Sequence, residues 1–379
     1  MRELSGKIGG IAPSATIEIS NEARKMQARG IEVINLSIGE PDFDTPKHIS
    51  DACIDAIRRG ETHYAPSNGI PELNQAIAGK LTRENRIPCK KEDVIVTCGA
   101  KDALYEAMEA ILNPGDEALI LDPSWVSYEP CVQIAGGKPL HHSLDNKTFQ
   151  VDDSLLDRIS GKTRLIVVNS PSNPSGSVLD LNSLKLIADI CCDYDLFAIS
   201  DEIYEKLLYN GEHISLATIG DMAGRTVTVN GFSKTYAMTG WRIGYAVAPP
   251  EVIRQMSIVQ QHTISHPTTF AMWGGVAALE GDQSCVDIMK QEFRKRRDYL
   301  MKELKDMGFS MAPADGAFYA YIRVTENDMD LARTWLTRSH LAVTPGTAFN
   351  NPGWERLSYA TSMENLIEAV NRIRTSGRR

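Results

Sequence analysis

Short runs of aliphatic and β-branched residues alternate with helix-like segments through the middle of the chain. Each run breaks at a Gly, Asp, Pro or Asn, and four clear runs are residues 94–97, 118–121, 165–168 and 197–200. Between them, residues 100–112 and 181–193 have helical patterns. Near-continuous apolar strands that alternate with helices are typical of a mostly parallel sheet covered on both faces. The pattern predicts an α/β domain over residues 46–280.

The last hundred residues have a different pattern. A charged helix is expected at 288–307, followed by a strand at 317–322 and a helix at 328–339. A second strand near 356–360 and a final helix at 363–374 complete the chain. This order of elements predicts a smaller α+β unit.

Polar residues follow the predicted strands, where ligands bind in open α/β sheets. Lys234 follows a strand at 226–229 among small and aromatic residues. Burial there would lower its pKa and free the amine as a nucleophile or base, although this segment alone fits a surface loop equally well. Arg242, eight residues later, is a candidate for holding a phosphate in the same pocket.

Three further strand ends carry candidate groups. The prolines at 171 and 174 favour a plain turn, or else a rigid loop that directs Asn173 at a ligand. Asp201 and Tyr204 end another strand, and Asp201 would otherwise be a helix N-cap. Gly99 precedes a predicted helix whose first amides form an anion site.

Nucleotide-binding loops are poorly supported. Residues 161–163 form the only Gly-Lys-Ser/Thr triplet, but Leu156 stands where the first glycine of a phosphate loop is required. The chain also has no Gly-x-Gly-x-x-Gly fingerprint. An NTPase or a Rossmann dehydrogenase is therefore not expected.

Composition narrows the partners and the compartment. The 379 residues are 42% hydrophobic with a net charge of −9, which argues against nucleic acid or anionic membrane as the main partner. Seven scattered cysteines, without a CxxC pair or a Cys/His cluster, suggest free thiols in a reducing cytoplasm and no metal site. No signal peptide or membrane-length apolar run is visible.

Taken together and in order, these segments resemble a pyridoxal-phosphate enzyme of fold type I. More narrowly, the chain resembles the prokaryotic branch of the aspartate aminotransferase family. The resemblance spans essentially the whole chain, and its motifs are residues 35–43, 64–69, 99–102, 122–125, 169–176, 200–204, 230–244, 345–346 and 356–358. Each motif is weak alone, but their joint order and spacing are specific. The resemblance implies an α/β fold with a seven-stranded, mostly parallel sheet.

The resemblance also implies roles around the cofactor ring. Lys234 would bond covalently to the cofactor aldehyde and carry the proton during the reaction. Asp201 would pair with the pyridine nitrogen and make the ring an electron sink. Tyr204 and Asn173 would hydrogen-bond the ring oxygen, and Trp125 would stack on the ring face, although a core position is the commoner fate of a tryptophan.

The cofactor phosphate would be held at the start of a helix. The implied contacts are Gly99, the amides of Ala100 and Lys101, the Ser233 hydroxyl and the Arg242 guanidinium. The chain departs from some relatives at Gly231, where they carry a phosphate-binding serine. Tyr64 would reach the phosphate of the neighbouring subunit, which implies a homodimer.

For the substrate, the resemblance implies Arg356 as the partner of the α-carboxylate, with Gly39, Trp125 and Asn173 beside it. Lys101 would meet a distal carboxylate. Residues 1–45 and 281–379 would form one small domain that closes on the large one.

The expected reaction is a ping-pong transamination from aspartate to 2-oxoglutarate, with prephenate as another acceptor. Lys234 and Asp201 would serve equally in an aromatic or alanine aminotransferase, a β-lyase or a decarboxylase, which product analysis separates. A regulatory module that binds the cofactor without turnover is a further alternative.

Overall fold

A computed structural model describes residues 5–13 and 15–376, apart from the side chains of residues 15–17. Parts of the predicted small domain, residues 1–4, 14 and 377–379, lie outside the described residues. Among the described helices, none is long and apolar enough to cross a lipid bilayer.

Helices and strands alternate along most of the described chain. The strands are β1 (Ile34–Asn35), β2 (Val94–Thr97), β3 (Glu117–Asp122), β4 (Lys138–Ser143), β5 (Thr163–Asn169), β6 (Phe197–Asp201), β7 (Thr226–Gly231), β8 (Gly244–Val247), β9 (Tyr319–Arg323), β10 (Leu341–Ala342), β11 (Thr344–Pro345) and β12 (Trp354–Ser358). The helices are α1 (Gly6–Gly9), α2 (Ala15–Ala28), α3 (Lys47–Arg58), α4 (Pro71–Lys80), α5 (Ala100–Ile111), α6 (Tyr128–Ile134), α7 (Leu181–Asp193), α8 (Pro250–Thr263), α9 (Thr269–Glu280), α10 (Ser284–Asp306), α11 (Asp328–Ser339) and α12 (Met363–Ser376).

The central sheet has seven strands in the order β2-β8-β7-β6-β5-β3-β4. Strand β8 pairs antiparallel with β2 and β7, and the other pairs of this sheet are parallel. Strand β8 therefore runs opposite to the other six strands of the sheet. The predicted fold class, an α/β fold with a mostly parallel seven-stranded sheet, is therefore confirmed.

Both faces of this sheet are covered, as its continuous apolar strands predict. In β3, Ala118 and Ile120 pack in one core cluster with α5, α6 and α8. Leu119 and Leu121 alternate with them and pack in a second cluster with α7. Because successive side chains of a strand point to opposite faces, these two clusters lie on opposite sides of the sheet.

The second part of the molecule is built from both chain ends. β9, β12 and β11 form an antiparallel sheet, while β1 from the N-terminal part pairs in parallel with β10. Helices α10, α11 and α12 pack against this region around a large apolar cluster. Strand β1 thus ties the N-terminal segment to the last hundred residues.

Three predicted boundaries in this part were wrong by two to four residues. The charged helix begins at Ser284, one turn before the expected 288. Strand β9 begins at Tyr319 and not at 317, because Ala317 has a φ of 56°, which a strand does not accommodate. Strand β12 spans Trp354–Ser358 and not 356–360, which places Arg356 at its centre.

Candidate active site

A cavity of about 360 Å³ lies at the carboxyl ends of the parallel strands, between the two parts of the molecule. All of the predicted site residues line it except two, Gly99 and Tyr64. Tyr64 is 92% exposed and packs only its ring edge against His266. The cavity is therefore where the sequence predicted the chemistry, and Tyr64 is not part of its lining.

Lys234 follows β7 and reaches into this cavity. Its Nζ donates a hydrogen bond to the Gly39 carbonyl at 2.6 Å. Burial, with smaller contributions from the charges of Arg242 and Arg356, lowers the pKa of Lys234 to about 8, although the charges of Glu40 and Asp201 oppose this shift. The neutral amine is therefore far more accessible near neutral pH than that of an ordinary lysine. The surface-loop alternative for Lys234 is wrong.

Asp201 ends β6 at the floor of the cavity. Its carboxylate accepts from the Tyr128 hydroxyl at 2.7 Å and from the Ile203 amide at 3.2 Å. Burial raises its pKa to about 6, although the two hydrogen bonds and the Lys234 charge oppose this rise. Residues 203–206 form a turn and not a helix, so the N-cap alternative is wrong. Sequence reasoning missed Tyr128, whose only signal was its place three residues after Trp125.

The turn after β5 holds Asn173 in place. The Asn173 amide donates to Asn169 Oδ1 at 2.8 Å, and Asn169 Nδ2 donates to the Asp201 carbonyl at 2.9 Å. Asn173 Oδ1 in turn accepts from Arg356 Nη1 at 2.8 Å. Of the two alternatives for this segment, the structure therefore shows the rigid loop directed into the cavity.

Arg356 lies buried at the centre of β12. Its Nη2 donates to the Ser37 carbonyl at 2.6 Å and to Thr344 Oγ1 at 3.3 Å, but its Nε has no hydrogen-bond partner within the described residues. Its guanidinium lies 4.6 Å from the centre of the Tyr319 ring. Among the described residues no carboxylate pairs with Arg356, so a buried cation faces the cavity without a counter-charge. Such a group is suited to an anionic ligand.

Tyr319 is the largest omission from the sequence prediction. Its hydroxyl lies 2.8 Å from that of Tyr204, and both side chains are buried. Burial raises the pKa of each phenol, so both stay protonated at neutral pH. Strand periodicity marks Tyr319 as a core residue, but it gives no sign of which hydroxyl it meets.

The start of α5 forms a second anion-binding corner. Within the described part of the chain, the amides of Ala100 and Lys101 have no acceptor. Gly99 has a φ of 82°, and a Cβ there would lie 2.5 Å from Arg242 Nη2. Gly244 packs against the start of α5, and a Cβ on Gly244 would lie 2.4 Å from the Ala100 nitrogen. Two free amides, a helix N-terminus and a guanidinium in one corner fit a phosphate group.

The surroundings of Ser233 and Gly231 account for the glycine at 231, where some relatives carry a phosphate-binding serine. Ser233 is buried and lines the cavity. Gly231 ends β7 and pairs with Gly244, whose Cα would lie 3.0 Å from a Cβ at 231. Because this spacing is tighter than ordinary carbon contacts, a serine at 231 would push the two strands apart.

The outer part of the cavity carries further positive charge. Lys101 Nζ lies 4.9 Å from the centre of the Trp125 ring, which itself packs edge-on against Tyr128. Helix α2 adds Arg24 to the lining, which the sequence prediction missed. Arg24 is exposed, and no ion-pair partner for it occurs in the chain as described.

Comparisons with known proteins agree with this geometry. A sequence model of the family "Aminotransferase class I and II" matches residues 31–373. The chain is 42% identical to the aspartate/prephenate aminotransferase of Thermus thermophilus and 39% identical to the aspartate aminotransferase of Bacillus subtilis. In both comparisons the match covers 98% of this chain and 98% of the relative.

Solved structures give the same result. The aspartate aminotransferase of Thermus thermophilus with maleate superimposes with a TM-score of 0.95 and 40% identity, covering 98% of this chain and 99% of that one. An aromatic aminotransferase from Pyrococcus horikoshii matches with a TM-score of 0.88 and 39% identity, covering 92% of this chain and 97% of that one. The chain therefore belongs to the aminotransferase class I and II family, the fold-type-I enzymes that depend on pyridoxal phosphate.

Proposed function

We propose that this aminotransferase moves the amino group of L-aspartate to 2-oxoglutarate, giving oxaloacetate and L-glutamate. Prephenate is a second acceptor of the same site. One observation carries the proposal: a single cavity contains a low-pKa lysine and a buried carboxyl, together with an arginine that has no counter-charge. The names of the relatives in Thermus and Bacillus support aspartate and prephenate as substrates.

Pyridoxal phosphate fits the residues that line this cavity. Its phosphate would be held by the free amides of Ala100 and Lys101, by Arg242 and by Ser233, and its ring would lie between Trp125 and Asp201. When bound, the cofactor supplies an aldehyde that bonds to amines and a ring that accepts electrons. The unpaired amides at the start of α5 support this assignment, because they need an acceptor.

Lys234 is the residue that would bond to the cofactor aldehyde and carry the proton. A primary amine must be neutral to act as nucleophile or base, and burial gives Lys234 a pKa of about 8. The Gly39 carbonyl holds Nζ at 2.6 Å and so fixes its position. Asp201 is anionic above its pKa of about 6 and stabilises positive charge on the ring nitrogen.

The substrate is held by two cations at opposite ends. Arg356 binds the α-carboxylate, because its fork is planar and pre-positioned by Asn173 and Ser37. Lys101, whose Nζ lies 4.9 Å from the centre of the Trp125 ring, binds the distal carboxylate of aspartate. The small domain, residues 1–45 and 281–379, closes on the large domain and excludes water from this pair of contacts.

We also propose a homodimer located in the cytoplasm. Tyr64 is almost fully exposed on one copy and reaches the phosphate site of the partner. The exposed Ile54 and Ile57 on α3 support an apolar surface that a second copy covers. All seven cysteines are free, which supports a reducing compartment.

An absorption titration of the purified protein tests the function. Added aspartate should bleach a band near roughly 360–430 nm, and 2-oxoglutarate should restore it. Lys234→Ala should abolish the response to aspartate, whereas Lys185→Met, on the exposed face of α7, should respond like wild type. A colourless protein that stays colourless with added pyridoxal phosphate contradicts the proposal.

Product analysis separates the alternative reactions. Oxaloacetate and glutamate in equal amounts are expected from aspartate and 2-oxoglutarate. Release of alanine and carbon dioxide would instead identify a decarboxylase. Faster turnover of phenylalanine than of aspartate would identify an aromatic aminotransferase.

A further inference from the structure

Tyr319 contacts three separate parts of the active site. Its hydroxyl lies 2.8 Å from that of Tyr204, and its ring lies 4.6 Å beneath the Arg356 guanidinium. Gly39 packs so closely that a Cβ there would lie 2.3 Å from the Tyr319 hydroxyl. The Tyr319 side chain therefore contacts Tyr204, which is proposed to bind the cofactor, and Arg356, which is proposed to bind the substrate. It also contacts Gly39, whose carbonyl accepts a hydrogen bond from Lys234.

The hydrogen bond between the Tyr204 and Tyr319 hydroxyls would have a defined direction once the cofactor is bound. Each phenol has one proton to donate. If Tyr204 donates its proton to the ring oxygen of the cofactor, its oxygen must accept from Tyr319. Tyr319 has no other hydrogen-bond partner in the described part of the molecule, so it is free to take this role. A donor behind Tyr204 polarises the Tyr204 hydroxyl and strengthens its own bond to the cofactor.

The ring acts on Arg356 through a different contact. The ring centres of Tyr319 and Phe349 lie 4.6 Å and 5.0 Å from the guanidinium carbon of Arg356. This arrangement fixes the plane of the guanidinium, while Asn173 and Ser37 fix its rotation within that plane. Because a carboxylate is bound best by a correctly oriented planar fork, the ring of Tyr319 bears on substrate affinity.

We propose that Tyr319 is a positioning residue, whose hydroxyl orients Tyr204 toward the cofactor and whose ring orients Arg356 toward the substrate carboxylate. This inference rests on the proposed function, since it requires the cofactor and the amino acid in this cavity. It assigns separate tasks to the hydroxyl and to the ring of one side chain. Two substitutions can therefore separate them.

Tyr319→Phe removes the hydroxyl and keeps the ring. The absorption band of the bound cofactor would titrate with pH, and Tyr204 would favour the deprotonated form by donating to the ring oxygen. Without its donor Tyr204 donates more weakly, so the titration midpoint of the holoenzyme should rise by about 0.2–0.5 pH units. The KM for aspartate should stay within about twofold of wild type, because the ring remains beneath Arg356.

Tyr319→Leu removes both the hydroxyl and the aromatic ring. It should raise the midpoint by the same amount and also raise the KM for aspartate by roughly tenfold, with a smaller change in kcat. Tyr209→Phe is the matched control, because the buried Tyr209 hydroxyl donates to the Ala317 carbonyl at 2.6 Å and does not line the cavity. The control should leave both the midpoint and the KM unchanged.

Three results would overturn the inference. One is a Tyr319→Phe midpoint equal to that of wild type, and another is an unchanged KM in Tyr319→Leu. The third is an equal midpoint shift in Tyr209→Phe, which would show a general packing effect. If Tyr319→Leu fails to fold, the midpoint of Tyr319→Phe still decides the role of the hydroxyl. Failure of the proposed function is distinguishable, because the wild-type protein would then show no band that responds to aspartate.

Discussion

Lys101 offers the sharpest test of substrate specificity, because its side chain stands at the outer end of the cavity. Its Nζ lies 4.9 Å from the Trp125 ring centre, and partial burial lowers the pKa of its ammonium group. Lys101→Met keeps most of the aliphatic stem over Trp125 and removes only the charge. The substitution therefore isolates the proposed contact with a distal carboxylate.

The expected magnitude follows from that single contact. A hydrogen bond to a charged group contributes about 1.5–3 kcal/mol, which corresponds to roughly 10- to 150-fold in a rate or binding constant. Lys101→Met should lower kcat/KM for aspartate by this factor. Alanine has no distal carboxylate, so its kcat/KM should change by less than about threefold.

The assay should follow the donor half-reaction alone. 2-Oxoglutarate also carries a distal carboxylate, and its presence would lower the rate with both donors. Mixing the holoenzyme with aspartate or alanine, without acceptor, and recording the cofactor band avoids this problem. Cofactor loading must be matched first, because the Lys101 amide is a proposed phosphate ligand. Lys185→Met, with the same substitution on an exposed helix face, provides the control for handling and concentration.

Equal losses with aspartate and alanine would refute the reasoning. They would mean that Lys101 acts through the cofactor or through the shape of the cavity. Arg24, exposed at the cavity lining on α2, would then be the next candidate for the distal carboxylate.

Three further predictions concern other parts of the molecule. Gly39→Ala should lower kcat/KM for aspartate by at least about tenfold without a large loss of thermal stability, because the new Cβ would displace the Tyr319 hydroxyl; unchanged kinetics would contradict this. Glu106 is fully buried, and its carboxyl has no hydrogen-bond partner in the part of the chain that the structure describes. Burial raises its pKa to about 9, so the carboxyl is neutral when folded and the stability of the fold falls as pH rises from about 4.5 toward 9. Glu106→Gln should therefore raise the free energy of unfolding at pH 8 by about 2 kcal/mol or more and hardly change it near pH 4, as denaturant titrations at both pH values would show. Lys80 is buried against Glu205, and its charge helps to lower the pKa of Glu205 to about 2 although burial opposes this shift. The ion pair therefore stabilises the fold above about pH 4.5, and this stabilisation is lost as pH falls toward 2. Lys80→Met should cost about 3–5 kcal/mol at pH 7, and a loss below 1 kcal/mol in chemical denaturation would show that the pair is dispensable.

The sequence predicted the central sheet well because its signals are local. The run at 165–168 is apolar throughout and the run at 94–97 is apolar except for Thr97, and strands covered on both faces need such a composition. Boundaries in the last hundred residues were less accurate. Ala317 looks like a strand residue, but its positive φ is imposed by the chain reversal before β9 and leaves no trace in its side chain.

The same contrast holds within the site. Lys234, Asp201 and Arg356 were predicted because each stands in a recognisable motif, and all three line the cavity. Tyr128 and Tyr319 were missed because an isolated tyrosine in a helix or strand has the pattern of a core residue. Their hydroxyls become informative only beside Asp201 and Tyr204.

By itself, therefore, the amino-acid sequence determined the order of elements, the α/β sheet, the family and the charged residues of the site. Tertiary structure alone decided which groups meet: Tyr204 with Tyr319, 115 residues apart, and Tyr128 with Asp201, 73 residues apart. The reason is physical, since periodicity along the chain encodes which face of an element is buried. Partners across the cavity are set by how the two parts of the molecule pack, and no local pattern records that packing.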